Sequence, residues 1–261
     1  MQVVTPIKTK RVRLFGIDID PLTMAEVVSR ISALLTTPQT PCQFVVTPNV
    51  DHLVQLQTHA GLQSAYQQAS LVVVDGKPVM WAANLLGQPV PSTVPGSDLV
   101  PALFNDAQSR SIKIKVFLLG AMPGVADRAK AEIHRQWSMI EVVGTLSPPY
   151  GFDKDEAISQ SICKSINDSG AALLLIGLGA PKQELWIAKN APYLKTSVAL
   201  CIGATIDFLA GEKARAPVWM RQAGIEWLHR MLTEPKRLAK RYLLGAVIFP
   251  QIVFKEWLTR R

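Results

Sequence analysis

Asp75 is the residue of this 261-residue chain whose type and setting best suit catalysis. It follows the apolar run Leu71-Val72-Val73-Val74 and precedes Gly76. A carboxylate at the end of a buried strand meets apolar walls that raise its pKa, and such a group serves as general base on a hydroxyl. The competing reading gives Asp75 a turn or helix-cap role. A second candidate is Ile176-Gly177-Leu178-Gly179-Ala180-Pro181-Lys182-Gln183-Glu184, a strand, a glycine turn and then a helix opened by Pro at its first position. Helix N-termini bind phosphates. Lys182 and Gln183 in that first turn suit a nucleotide diphosphate or a sugar hydroxyl, and Gly177 and Gly179 let backbone approach the ligand. The same run reads equally as a tight strand-to-helix connection. Lys182 also occupies the third glycine position of G-x-G-x-x-G, so the dinucleotide fingerprint is weak.

Other constellations are blander. Asp18-Ile19-Asp20 has the spacing of a metal-binding pair, but its place before Pro21 favours turn and helix-start chemistry. The four histidines form no metal-ligand spacing. His52 and His59, seven residues apart, read as one helix face with surface or packing roles. There is no G-x-S-x-G elbow and no P-loop. No metal and no cofactor is expected. Cys42, Cys163 and Cys201 are far apart and read as buried free thiols in a reducing compartment.

The elements that must position these groups alternate. Apolar runs with strand character span residues 13–17, 43–46, 71–74, 114–119, 171–176 and 198–202, most ending at turn-type residues. Helical patterns span 23–35, 49–69, 79–86, 124–137, 156–169 and 181–190. Continuous apolar strands alternating with helices predict an α/β fold, a Rossmann-like core whose parallel sheet is covered by helices on both faces. Ligands of such sheets bind outside the carboxyl ends of the strands. Those ends carry Thr47 and Asn49, Asp75 and Gly76, Gly120, and the glycine turn at 177–179.

The core is expected to occupy residues 1–210 and a basic helical appendage residues 211–261. The appendage carries seven Arg and four Lys against four Glu, most of the chain's formal charge of +8, together with Trp219, Trp227 and Trp257. Residues 215–232 and 235–244 read as two basic amphipathic helices, and 246–254 as an apolar stretch interrupted by Pro250. The uncharged stretch 242–254 is shorter than the roughly 20 residues a spanning helix needs, so it is expected to lie in a membrane interface. Self-association could shield it when no membrane is present. With no secretory signal at the N-terminus, the expected location is the cytoplasm, peripheral on the inner face of the plasma membrane.

The ordered motifs resemble one family. Thr47-Pro48-Asn49-Val50-Asp51-His52, the stretch from Ala69 through Gly87, Val94-Pro95-Gly96-Ser97-Asp98-Leu99, the run from Ile176 through Glu184, and the C-terminal Arg215-Ala216-Pro217, Gly224 through Arg230 and Glu234 through Tyr242 are similar, in order, to the motifs of WecG/TagA/CpsF glycosyltransferases. The resemblance implies an inverting, metal-independent transferase. Its donor would be a UDP-sugar carrying N-acetylmannosamine, its uronic acid or glucose. Its acceptor would be a polyprenyl-diphosphate-linked saccharide of cell-envelope or exopolysaccharide synthesis. By position it implies Asp75 as base, with Thr47 and Gln183 in the pocket and Asn49 alongside; Gly76, next to Asp75, is a further substrate-binding candidate. The sequence departs from the family pattern at Lys77-Pro78, beside the base, and at Pro95.

A metal-free mechanism needs positive groups for the leaving diphosphate. Arg215, Arg221, Arg230, Arg237 and Arg241 are the candidates, either for diphosphate or for anionic lipid headgroups. Two other readings compete. A nucleotide-cofactor-dependent oxidoreductase is weakened by the missing third glycine and by the lack of an acidic ribose partner about 20 residues past Gly179. A nucleic-acid-binding role lacks any motif beyond charge, so no nucleic-acid partner is expected.

Overall fold

The computed structural model describes residues 10–36 and 41–260, apart from the side chain of Arg237. A short antiparallel hairpin, β1 (Val12–Leu14) and β2 (Ile17–Ile19), precedes a six-stranded parallel sheet. The sheet comprises β3 (Gln43–Val46), β4 (Leu71–Val72), β5 (Ile114–Gly120), β6 (Ile140–Leu146), β7 (Leu173–Gly177) and β8 (Val198–Cys201), in spatial order β4-β3-β8-β7-β5-β6. Twelve helices are described: α1 (Met24–Leu35), α2 (Val50–Leu56), α3 (Ala60–Gln68), α4 (Lys77–Leu85), α5 (Gly96–Ser109), α6 (Val125–Gln136), α7 (Glu156–Ser169), α8 (Lys182–Asn190), α9 (Thr205–Leu209), α10 (Val218–Ala223), α11 (Glu226–Thr233) and α12 (Pro235–Thr259).

The expected α/β architecture is present, and its cause is the apolar alternation. Successive residues of a strand point to opposite faces, and here both faces are buried. Phe44, Val46, Phe117, Leu119, Leu174 and Ile176 enter one core with residues of α2, α3, α4, α7, α8 and α12. Val45, Val116, Leu118, Leu173 and Leu175 enter the other with α1, α5, α6 and α9. The parallel register aligns the strand ends: Val46 faces Val72, Ile176 faces Cys201 and Gly120 faces Gly177. A Cβ on Gly120 would sit 2.5 Å from the Gly177 carbonyl oxygen, so a glycine is required for the two strand ends to meet.

Several boundaries differ from the sequence expectation. Residues 13–17 are not one strand, because the chain turns at Phe15 and Gly16 to form the hairpin. Asp18 pairs with Arg13 on the hairpin surface. Asp20 is buried, accepts from Arg11 at 3.1 Å and from the Val72 backbone N–H at 2.8 Å, and so stitches the hairpin to the sheet edge. The helix start belongs to Thr23, whose side chain accepts from the Glu26 backbone. The pattern at 49–69 divides into α2 and α3, with His59 capping α3 through Leu62, so His52 and His59 share no helix face. Strand β6 and helices α5 and α9 were not among the expected elements.

The C-terminal region departs most. The amphipathic pattern at 215–232 forms two short helices, with Gly224 in the left-handed region ending α10. Helix α12 instead runs unbroken through Pro250 to Thr259. An interior proline ordinarily costs about 3 kcal/mol. Here Ile248, Phe249, Ile252 and Val253 pack into the core on either side of it. Phe249 lies 5.8 Å from the Phe15 ring, and Glu256 accepts from the Phe15 backbone N–H. Packing of this face outweighs the lost backbone bond. Among the described residues, no helix is long and apolar enough to cross a membrane.

Candidate active site

Pro48 ends β3, since the residue before a proline avoids helix, and the chain restarts as α2 at Asn49. The Asn49 Oδ1 caps that helix, accepting from the backbone N–H groups of Asp51 at 3.1 Å and His52 at 3.4 Å. The Asn49 side chain also lowers the Asp75 carboxyl pKa. The Asp75 backbone N–H donates to the Pro48 carbonyl at 2.9 Å, which fixes the two strand ends side by side. Thr47 is buried, and its hydroxyl donates to the Cys201 carbonyl of β8 at 3.4 Å. Gly76, at φ 99°, turns the chain from Asp75 into α4.

Asp75 is half-buried at this rim. Burial pushes its carboxyl up from 3.8 to about 6; His52 pulls it back, Glu226 pushes it further up, and Arg230 and the Asn49 hydrogen bond pull it down. A carboxylate with that value is mostly ionised at neutral pH yet takes a proton readily, as a general base must.

Helix α8 brings the glycine-turn motif against the same rim. Pro181 is the N-cap of α8 rather than its first helical residue. Gln183 is buried; its Oε1 accepts from the Gly203 N–H at 3.2 Å and its Nε2 donates to Glu184 Oε1 at 2.7 Å. Glu184 is fully buried, and its Oε1 also lies 3.3 Å from His52 Nε2. Burial alone would lower the His52 pKa, but the hydrogen bond and charge of Glu184, with the charges of Asp51 and Asp75, leave it raised. This His52–Glu184 pair escaped the sequence reading. Both residues stand inside motifs quoted for the family, which was the available signal; their 132-residue separation hid the pairing.

Lys182 stands farther along the rim. Its ammonium is 3.5 Å from Asp153 and lies over the rings of Tyr150 and Phe152, at 5.5 and 5.7 Å. Gly177 and Gly179 form the turn beneath it.

The C-terminal arginines divide by partner. Arg215 and Arg221 both reach Asp98 at the start of α5, at 2.8 and 3.4 Å. Arg241 pairs with Asp51 on α2 at 2.7 Å. Arg230 faces Asp75 electrostatically and sits 5.9 Å from the Phe208 ring, which Arg215 shares from 5.9 Å. The Nε groups of Arg215, Arg221 and Arg241 are buried without a hydrogen-bond partner. The side chain of Arg237 lies outside the described residues. Lys77, the departure beside Asp75, donates to the Gln222 carbonyl and packs on Gly224, linking the turn at the base to the end of α10.

The rim thus joins Thr47, Asn49, Asp75, Gly76 and Gln183 at one end, with the Arg230 charge acting on Asp75 and with Gly177, Gly179 and Lys182 running from the end of β7 into α8. Asp18 and Asp20 lie elsewhere, on the hairpin. Among the described residues, no group of three His, Cys, Asp or Glu side chains is arranged to hold a metal ion. The assembly combines a carboxyl of raised pKa, arginines and a hydrogen-bonded floor, groups whose chemistry suits taking a proton from a hydroxyl and receiving an anion.

Comparison with known proteins identifies the class. The glycosyl transferase WecG/TagA/CpsF family matches residues 12–261. Relatives named N-acetylglucosaminyldiphosphoundecaprenol N-acetyl-beta-D-mannosaminyltransferase, from Staphylococcus aureus strains NCTC 8325 / PS 47, COL and MRSA252, are 30% identical over 232 residues, covering 89% of this chain and 88% of each relative. The chain belongs to the WecG/TagA/CpsF family and is a glycosyltransferase, which sets aside the oxidoreductase and nucleic-acid readings.

Proposed function

We propose that this enzyme is an inverting transferase that moves a sugar from a UDP-sugar to a polyprenyl-diphosphate-linked saccharide of the cell envelope, without a divalent metal. Asp75 takes the proton of the acceptor hydroxyl as the new bond forms between that oxygen and the anomeric carbon. The bond from the anomeric carbon to the diphosphate oxygen breaks on the opposite face, and UDP leaves with the electron pair. The observation that carries this reading is the half-buried Asp75 carboxyl at the sheet rim, raised to about 6, with its backbone tied to Pro48. Arg230 beside it supplies positive charge for the leaving diphosphate, with the unpartnered Nε groups of Arg215 and Arg221 near the same roof. Relatives named as N-acetylmannosaminyltransferases acting on an undecaprenyl-diphosphate-linked N-acetylglucosamine make N-acetylmannosamine the first donor sugar to test, ahead of its uronic acid and glucose.

The chain divides in this reading near residue 210, the appendage acting as roof and membrane contact. Trp219, 62% exposed, together with Val218, Trp227, Leu232, Leu243 and Val247, gives α10–α12 an apolar outer surface among lysines and arginines. Such a surface suits peripheral binding to anionic lipid on the inner face of the membrane, where the acceptor resides. Self-association through this surface is the alternative when lipid is absent.

The test is UDP release with EDTA present, using UDP-sugars and N-acetylglucosaminyl-diphosphoundecaprenol. Wild type is expected to release UDP, and Asp75→Asn to lose about 10²–10⁴-fold. An undiminished Asp75→Asn would sink the assignment of the base.

A further inference from the structure

The floor of the site contains a charged pair that the chemistry above does not use. His52 and Glu184 are both buried, 6% and 0% exposed, and meet at 3.3 Å. Replacing a buried ion pair with apolar residues is often neutral or stabilising, so stability alone does not call for this one.

Hydrogen-bond geometry orients the ring. The Asn49 Oδ1 is identified as the amide oxygen because it accepts two backbone N–H groups at the start of α2. It cannot donate, yet His52 Nδ1 lies 2.9 Å away, so Nδ1 carries a proton. Glu184 Oε1 faces Nε2 at 3.3 Å. The Asn49 backbone N–H also points toward Nδ1, at the longer distance of 3.4 Å. The ring thus bridges Glu184 of α8 and the Asn49 side chain.

We propose that His52, braced by Glu184, is a positioning residue for the transfer step: it fixes the Asn49 side chain at the rim beside the Asp75 carboxylate. The chain of contacts runs from Glu184 on α8 through His52 to Asn49 at the start of α2, and the Asp75 backbone N–H donates to Pro48, next to Asn49, at 2.9 Å. The Asn49 oxygen is held by the helix start and by the His52 ring. The charged or titratable groups facing Asp75 are His52 from α2 and Glu226 and Arg230 from α11. Those facing His52 are Glu184 from α8, Asp51 from its own helix, Asp75, and the Tyr66 ring of α3 at 6.4 Å. His52 is the strongest of the groups opposing the effect of burial on Asp75.

This inference rests on Asp75 as the base, so its test does not depend on turnover. The purified full chain, labelled in histidine rings and aspartate carboxyls, is titrated by NMR, with the Asp75 signal assigned from its loss in Asp75→Asn. In wild type, His52 Nδ1 is expected to carry a proton at pH 7 and Asp75 to titrate near 6. In His52→Gln the Asp75 midpoint rises by about one pH unit. In Glu184→Gln the His52 midpoint falls and the Asp75 midpoint rises. The acid limb of UDP release moves up with it. A His52 Nδ1 without a proton at pH 7 in wild type overturns the proposal, and needs no variant to fold. So does an unmoved Asp75 midpoint in either variant that retains the wild-type near-UV circular dichroism. A wild type that releases no UDP from any donor would refute the transferase reading while the titrations still decide this one.

Discussion

The floor of the site and its roof are built on opposite terms. On the floor, Thr47, Asn49, His52, Gln183 and Glu184 are tied to one another and to strand ends, and all but Asn49 are buried. In the roof, α10 and α11 bury no residue at all, and their contacts to the core are ion pairs, a stacked ring and the Lys77 tether. Helix α12 mediates between them, its inner face in the core and Trp227 of α11 resting 5.8 Å from its Tyr242. A floor of that kind holds its polar groups in one geometry. The roof leaves arginine Nε groups without a hydrogen-bond partner and tryptophans exposed, as the proposed anion and membrane contacts require.

The sharpest test of this contrast compares two arginines of the roof. Arg230→Ala is expected to lower kcat/KM about 10²-fold or more, as for other lost transition-state donors, with little change in melting temperature. Arg241→Ala removes a tie to Asp51 and is expected to act on stability instead; equal kinetic losses in both would erase the distinction. Next, Ile252→Ala empties a core site beneath α12 and is expected to cost about 2–5 kcal/mol by denaturant unfolding. A loss under 1 kcal/mol would mean that α12 belongs with the roof.

The base itself should destabilise the floor. The Asp75 pKa is raised on folding, from 3.8 to about 6. The folded state then binds more protons than the unfolded one between those values, so stability falls as pH rises through that window. Removing the charge with Asp75→Asn is therefore expected to raise stability at pH 7–8 by about 1–3 kcal/mol, discounted for partial exposure, and to leave it unchanged below pH 4. Melting curves across pH 4–8 check this, and a variant less stable at pH 8 contradicts it. The smallest effect belongs to the tether. Gly224 has φ 76°, and a Cβ there meets Lys77 at 2.9 Å. Gly224→Ala is expected to cost about 1 kcal/mol, read as faster proteolysis within α10–α11, with the core melting transition unmoved.

Legibility followed the range of the interactions. The parallel core was readable because the central strands are predominantly apolar runs closed by turn residues, a pattern set by neighbours in sequence. Asp75 was readable for the same reason: an acid between Val74 and Gly76 has to emerge at a strand end. The break at 57–59 and helix α5 were harder to see, since helical periodicity runs through the first and Pro101 stands inside the second. Strand β6 was missed because its sequence, Ile-Glu-Val-Val-Gly-Thr-Leu, lacks the continuous apolar character of the central strands, as suits an edge with partial exposure.

By itself, then, the sequence determined the α/β layering, the place of Asp75 at the end of an apolar run and the concentration of positive charge in the last fifth of the chain. Each is a matter of local periodicity or composition. Tertiary structure alone decided that Pro250 lies within a continuous helix, that Arg241 ties to Asp51 while Arg230 faces Asp75, and that His52 meets Glu184. The physical reason is common to all three. A polar or strained residue is fixed by whatever group folding brings opposite it, and over separations of a hundred residues or more no spacing rule records which group that will be.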